Sequence, residues 1–171
     1  MKHAVGVSAT VAVLLCALLA TPGVRAQDAA ALKSEIDALR ALVPSQSHAM
    51  MDVDYHFSNL WFAAGNENWP LAEFYLSETR SHLGWAVRIR PLRRLSTGGE
   101  LDLRPVLQGV ETTGLARLRA AVEKHDKTGF EQAYRQTMDA CFGCHQAAEK
   151  PYLRPHIPQQ PSSRMIDFRP R

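Results

Sequence analysis

The sequence predicts an all-α fold: an antiparallel four-helix bundle preceded by a short helix and followed by an extended tail. Three observations carry this expectation. Apolar residues recur at helical spacing through most of the chain beyond residue 27, and no stretch shows the alternation of a half-buried strand. Prolines and short polar turns punctuate the pattern at helix-length intervals. At 171 residues, 46% apolar and 22% charged, the chain has a globular composition and room for one domain with an appendage. A formal net charge of +3 is too small to argue for nucleic acid.

Residues 1–26 read as an export signal. Lys2 and His3 precede a 17-residue apolar stretch over residues 4–20, Pro22-Gly23 breaks it, and Val24-Arg25-Ala26 offers small residues where a signal peptidase reads them. Cleavage is expected after Ala26, and with no twin-arginine pair the chain is expected to cross unfolded. The alternative is an uncleaved anchor, since 17 residues sit at the low edge of a membrane span. No later run approaches that length. Removal would leave 145 residues, would lower the charge from +3 to +1 through loss of Lys2 and Arg25, and would leave only Cys141 and Cys144 of three cysteines.

Residues 27–44 read as an N-terminal helical extension, with Asp28 as cap, Leu32, Ile36, Leu39 and Val43 as its stripe, and Pro44 as its end. Residues 45–150 hold the expected bundle. Its first helix covers about 45–64, with Met50, Val53, Phe57, Leu60, Trp61 and Ala64 on one stripe. Gly65-Asn66-Glu67-Asn68 makes a tight turn, Asn68 caps the next helix, and Pro70 falls in the first turn where its missing N–H does no harm. That helix continues through Phe74, Tyr75, Leu83 and Trp85 to Arg90, before Pro91. Residues 91–112 read as irregular, with Gly98-Gly99 and at most a helical turn near 103–107. A further helix over about 113–125 turns Leu115, Leu118 and Val122 inward. Thr128-x-x-Glu131 reads as a capping box opening the last helix. Its stripe is Phe130, Tyr134, Thr137, Cys141, Cys144 and Ala148, and Pro151 ends it. Residues 151–171 carry five of the ten prolines and read as an extended polyproline tail.

Cys141-Phe142-Gly143-Cys144-His145 is C-x-x-C-H, the attachment pattern for a c-type haem: two thiols for thioether bonds and an adjacent imidazole for the iron. A structural disulfide would not need His145. A redox dithiol would sit at the start of a helix after a strand, where the dipole lowers a thiol pKa, and structural zinc would need a fourth ligand. The steps of 4, 3, 4, 3 and 4 along the last helix put both cysteines on the core-facing seam, so one covalent haem c is expected inside the bundle.

Four helices with C-x-x-C-H near the end of the last resemble the class II c-type cytochromes, the cytochrome c′-like bundles. Exported single-haem cytochromes resemble the chain more closely, sharing Asn59-Leu60-Trp61-Phe62-Ala63, Asn68-Trp69-Pro70-Leu71-Ala72, and the stretch from Cys144-His145 to Lys150-Pro151-Tyr152-Leu153-Arg154-Pro155. The likeness covers roughly residues 45–158. Cytochromes c′ have a longer loop between their first two helices and end soon after the haem helix, so their open distal face is not carried over.

With His145 on the proximal side, the sixth iron position decides the function. Cys141 lies 13 residues beyond Thr128, roughly 20 Å at 1.5 Å per residue, which sets His48, Met50, Met51 and His82 level with it and His56 about two turns away. Met50 shares the inward stripe and is the first candidate for a distal ligand. Met51, His48, His82 and His56 are the lesser ones, and a vacant apolar face is the alternative. His125 belongs to the opposite end. Arg88, Arg90, Arg93 and Arg94 read either as a solvated helix end or as partners for haem propionates or an acidic redox protein.

The expected function is electron transfer between periplasmic redox proteins by an exported monomer or homodimer. It would have no membrane span after signal removal and no enzymatic activity. No Ser/His/Asp arrangement or phosphate loop stands out. The rivals are a gas-binding (NO or CO) haem protein or sensor, and an accessory haem subunit of a periplasmic oxidoreductase.

Overall fold

The computed structural model describes residues 22–170, so most of the expected export segment lies outside the described residues. What is described is mainly α-helical with one small two-stranded sheet, and the chain divides into two compact units between Val43 and Pro44. No described helix is long and apolar enough to cross a membrane.

The first unit contains α1 (Pro22–Leu42). It begins six residues before Asp28, which therefore lies inside the helix instead of capping it. Pro22 suits a first turn, where no N–H partner is needed and φ is already helical. Lys33 pairs with Asp37 one turn on, at 2.8 Å, and Leu32, Leu39 and Leu42 are exposed.

In the second unit, α2 (Gln46–Gly65) and α3 (Trp69–Ile89) run antiparallel. Ser45 caps α2 by accepting from the His48 amide, and Asn68 caps α3 by accepting from Leu71, with Pro70 in the first turn as expected. Ala49, Ala63 and Ala64 on α2 and Ala72 and Ala86 on α3 are fully buried or nearly so. These small side chains let the two backbones approach closely. The inward stripe of α3 is Ala72, Tyr75, Leu76 and Thr79, whereas Phe74 is 52% exposed. Thr79 satisfies its buried hydroxyl by donating to the Tyr75 carbonyl at 2.7 Å.

Residues 91–112 are ordered, which corrects the expectation of irregular chain. Strands β1 (Leu92–Arg94) and β2 (Glu100–Asp102) pair antiparallel, with Arg93 opposite Leu101, and Gly98 and Gly99 take the positive φ of 92° and 85° that the turn demands. Asp102 then caps α4 (Leu103–Val110), whose Pro105 falls in the first turn. A π-helical turn, Glu111–Leu115, joins α4 to α5 (Ala116–Glu123), so helix begins ten residues before the expected 113. The hydroxyls of Thr112 and Thr113 donate to the carbonyls of Gln108 and Gly109 at 2.8 and 2.7 Å, which eases the widened turn.

Gly114 in that turn lies against α6 (Lys127–Ala147), where an added Cβ would stand 2.7 Å from Thr137 Oγ1. Thr137 is buried and its hydroxyl is committed to the Ala133 carbonyl, so it cannot yield cheaply. Gly114→Ala is therefore expected to destabilise by about 1–3 kcal/mol in chemical denaturation.

The cap of α6 is Asp126, whose carboxylate accepts from the Gly129 amide at 2.9 Å. Thr128 lies already in the first turn, so the predicted capping box does not form. Leu115, Leu118 and Val122 are buried as expected, and they join Leu60, Leu76, Phe130, Tyr134 and Met138 in one contiguous core.

The proline-rich tail lies against this unit as extended chain. The Ser163 amide donates to the buried Asn59 Oδ1 at 3.1 Å, Asn68 Nδ2 donates to the Arg169 carbonyl, and Phe168 is buried between Phe62 and Tyr75. It thus runs from the end of α6 back to the turn between α2 and α3.

Candidate functional site

Cys141, Cys144 and His145 occupy the last two turns of α6, spaced so that all three share one face. Both cysteines are free and partly buried. Burial, and then the neighbouring Cys144, push the Cys141 thiol up to about 11, and burial also raises Cys144. The negative end of the helix dipole works in the same direction. Both groups are protonated thiols at neutral pH, the opposite of what a nucleophilic dithiol requires.

His145 Nδ1 lies 2.6 Å from the Leu153 carbonyl oxygen. A carbonyl only accepts, so Nδ1 carries the proton and the neutral ring keeps its lone pair on Nε2. The chain reverses to deliver that carbonyl. Glu149 takes a φ of 58°, the Lys150 amide donates to the His145 carbonyl at 2.7 Å, and the Leu153 amide donates to the Lys150 carbonyl at 3.0 Å. Arg154 then lies over the Phe142 ring at 5.5 Å, within cation–π reach.

The hairpin holds the same corner. Glu149 accepts from the Ser96 amide at 2.6 Å and from its hydroxyl at 2.9 Å, and these bonds hold its carboxyl below the usual range. A depressed pKa means the contact stabilises the fold above the ordinary carboxylate value and is lost as the pH falls through the folded value. In an NMR titration, the Ser96 amide resonance is expected to stay constant through neutral pH and to move only below the ordinary glutamate range.

The α2–α6 contact sets the level of the remaining candidates. Phe57 stacks on Tyr134 at 4.2 Å and 9°, the Tyr134 hydroxyl donates to the Phe57 carbonyl at 2.9 Å, and one turn along Trp61 approaches Phe130 at 6.3 Å. The two helices are antiparallel in this register, and extending it by two turns brings Met50 level with Cys141. Met50 is partly buried, whereas Met51 is 66% exposed and His48 is exposed. His56 and His82 face one another across α2 and α3, their rings stacked at 4.8 Å. His125 stacks flat on Trp69 at the far end, at 5.2 Å and 4°. Of the four arginines, Arg88, Arg90 and Arg94 are exposed at the end of α3 and on β1, while Arg93 donates to Gln46 Oε1 at 3.3 Å.

Sequence reasoning missed the Leu153 carbonyl and the Ser96–Glu149 clamp. A backbone acceptor has no sequence signature, although Pro151 and Pro155 flanking the reversal mark a fixed path. No family model matches the chain, and neither a curated protein nor a solved structure matches it.

Proposed function

We propose that this chain is an exported, single-haem c-type cytochrome that carries electrons between periplasmic redox proteins and is not an enzyme. In this reading α2, α3, α5 and α6 form a four-helix bundle with haem c on the last helix. The observation that carries it is the His145 Nδ1–Leu153 bond, which fixes the tautomer and leaves Nε2 as an oriented metal ligand beside two free thiols. Cys141 and Cys144 would hold the macrocycle by thioether bonds, and His145 Nε2 would take the iron.

The donor set fits that group. Two thiols and an imidazole along one helix face would hold a group that takes two thioether bonds and one nitrogen ligand better than they would a single small ion. Ala49, Val53, Ala86 and Leu103 are also buried yet stand apart from the contiguous core, and such apolar side chains would help to shield the group. Bound haem supplies an iron that cycles between ferric and ferrous states. The protein's part is to orient the ligand, exclude water and leave an edge for electron exchange.

Absorption spectra of the protein matured in an oxidising, haem-exporting host test the reading, taken oxidised and reduced, with and without CO. A low-spin, six-coordinate ferrous spectrum is expected, with Met50 supplying the sixth ligand. Met50→Ala should then give a high-spin spectrum and faster CO binding, while Met51→Ala and His48→Ala change little. A wild-type ferrous form that is already five-coordinate and binds CO rapidly would instead favour a gas-binding haem protein. A protein that matures without haem absorption would end both readings.

A further inference from the structure

Away from the cysteines, four side chains converge between α2 and α3. Asp52 and His56 stand one turn apart on α2, and Glu78 and His82 stand one turn apart on α3, so each helix presents an acid and a histidine on one face. Because the helices are antiparallel, each acid falls opposite the other helix's histidine. His82 Nδ1 lies 3.5 Å from Asp52 Oδ2, and His82 Nε2 lies 3.7 Å from Glu78 Oε2. The His56 and His82 rings stack at 4.8 Å with 29° between planes. Donor atoms of His56, Glu78 and His82 all lie within 4.8 Å of one another.

The two imidazoles are also underused. His56 Nδ1 and His82 Nδ1 are both buried and make no hydrogen bond, the Asp52 contact being outside bonding geometry. Folded proteins leave few buried polar nitrogens without a hydrogen bond. Two such nitrogens beside two carboxylates point to a missing positive centre.

We propose that His56, Glu78, His82 and Asp52 form a site for one divalent transition cation of the zinc and copper class. Two imidazole nitrogens with carboxylate oxygens select that class over magnesium and calcium, which take oxygen ligands. At metal–nitrogen distances of about 2.0–2.1 Å the donors must draw inward from their present spacing. The side chains have that freedom, since Asp52 is about half exposed and His82 about a quarter exposed, while their backbones are held by α2 and α3. The ion would bridge the two helices by donors from both, and it does not depend on the haem reading.

The test is a zinc titration of the purified full-length protein, followed by gel filtration and metal analysis. One zinc per chain is expected. His56→Ala and His82→Ala should each weaken binding at least about tenfold, since even outer-shell changes at metal sites cost 10–100-fold. Glu78→Gln, which preserves shape and volume, should do the same with an unchanged far-ultraviolet circular dichroism spectrum. His125→Ala, at the far end of the unit against Trp69, should bind as the wild type does. No retained zinc, or undiminished binding in the His56→Ala/His82→Ala protein, would overturn the site.

Discussion

Replacing Cys141 and Cys144 together by alanine is expected to abolish covalent retention of haem completely. Both thiols stand on the inward face of α6 and neither is spent in a disulfide, so in the proposed reading they are the two tethers. Mass spectrometry of the wild type matured in a haem-exporting host should show one haem added to the processed chain, and the double variant should show none. Haem that leaves the wild type in acidified organic solvent would refute covalent attachment. The effect is all-or-none because no other cysteine follows residue 26.

The largest expected loss of stability follows Phe130→Ala. Phe130 is 1% exposed and packs beside Trp61 and Tyr134, where α2 meets α6. Removing a buried phenyl ring loses its transfer free energy and leaves a cavity that fixed helices cannot close, about 3–5 kcal/mol. Urea denaturation monitored by circular dichroism checks this. Phe74→Ala is the control: with half its surface exposed, it should shift stability by no more than about 0.5 kcal/mol.

Where the fold was legible, one physical signal was unopposed. The apolar spacing of α2, α3 and α6 runs for five turns each, and Ser45 and Asn68 cap as their side chains suggest. Where it was not legible, signals competed. Residues 91–112 contain Pro91, Pro105 and three glycines, which read as broken chain. Yet the strands are only three residues long, too short for alternation to register, and Pro105 sits harmlessly in a first turn. Thr128 and Glu131 match a capping box, but Asp126 two residues earlier is the stronger acceptor at a helix start and takes the role. Phe74 and Tyr75 are adjacent, and periodicity alone could not say which of them faces inward.

The candidate site divides the same way. The proposed covalent chemistry rests on five consecutive residues, and that motif can be read directly. The level of Met50 was a matter of counting residues along helices, whereas the register of α2 against α6 is set by the Phe57–Tyr134 stack. The Leu153 carbonyl and the His56–His82 face could not be read, because each depends on how separate segments meet. In hindsight, Asp52-x-x-x-His56 and Glu78-x-x-x-His82 on consecutive antiparallel helices were a signal. It becomes meaningful only once the helix pairing is known.

The Phe57–Tyr134 stack also fixes the azimuth of everything beyond it on α6. Each residue of a helix turns the next by about 100°, so the direction in which Cys141, Cys144 and His145 point is inherited from a ring seven residues upstream of the first cysteine. One residue inserted between Tyr134 and Cys141 would leave the five-residue motif intact. It would nevertheless turn all three donors together by about 100°, and Glu149 would no longer meet Ser96 on the hairpin. Possession of the motif is thus one requirement and its rotational phase another, and the aromatic stack is where that phase is set.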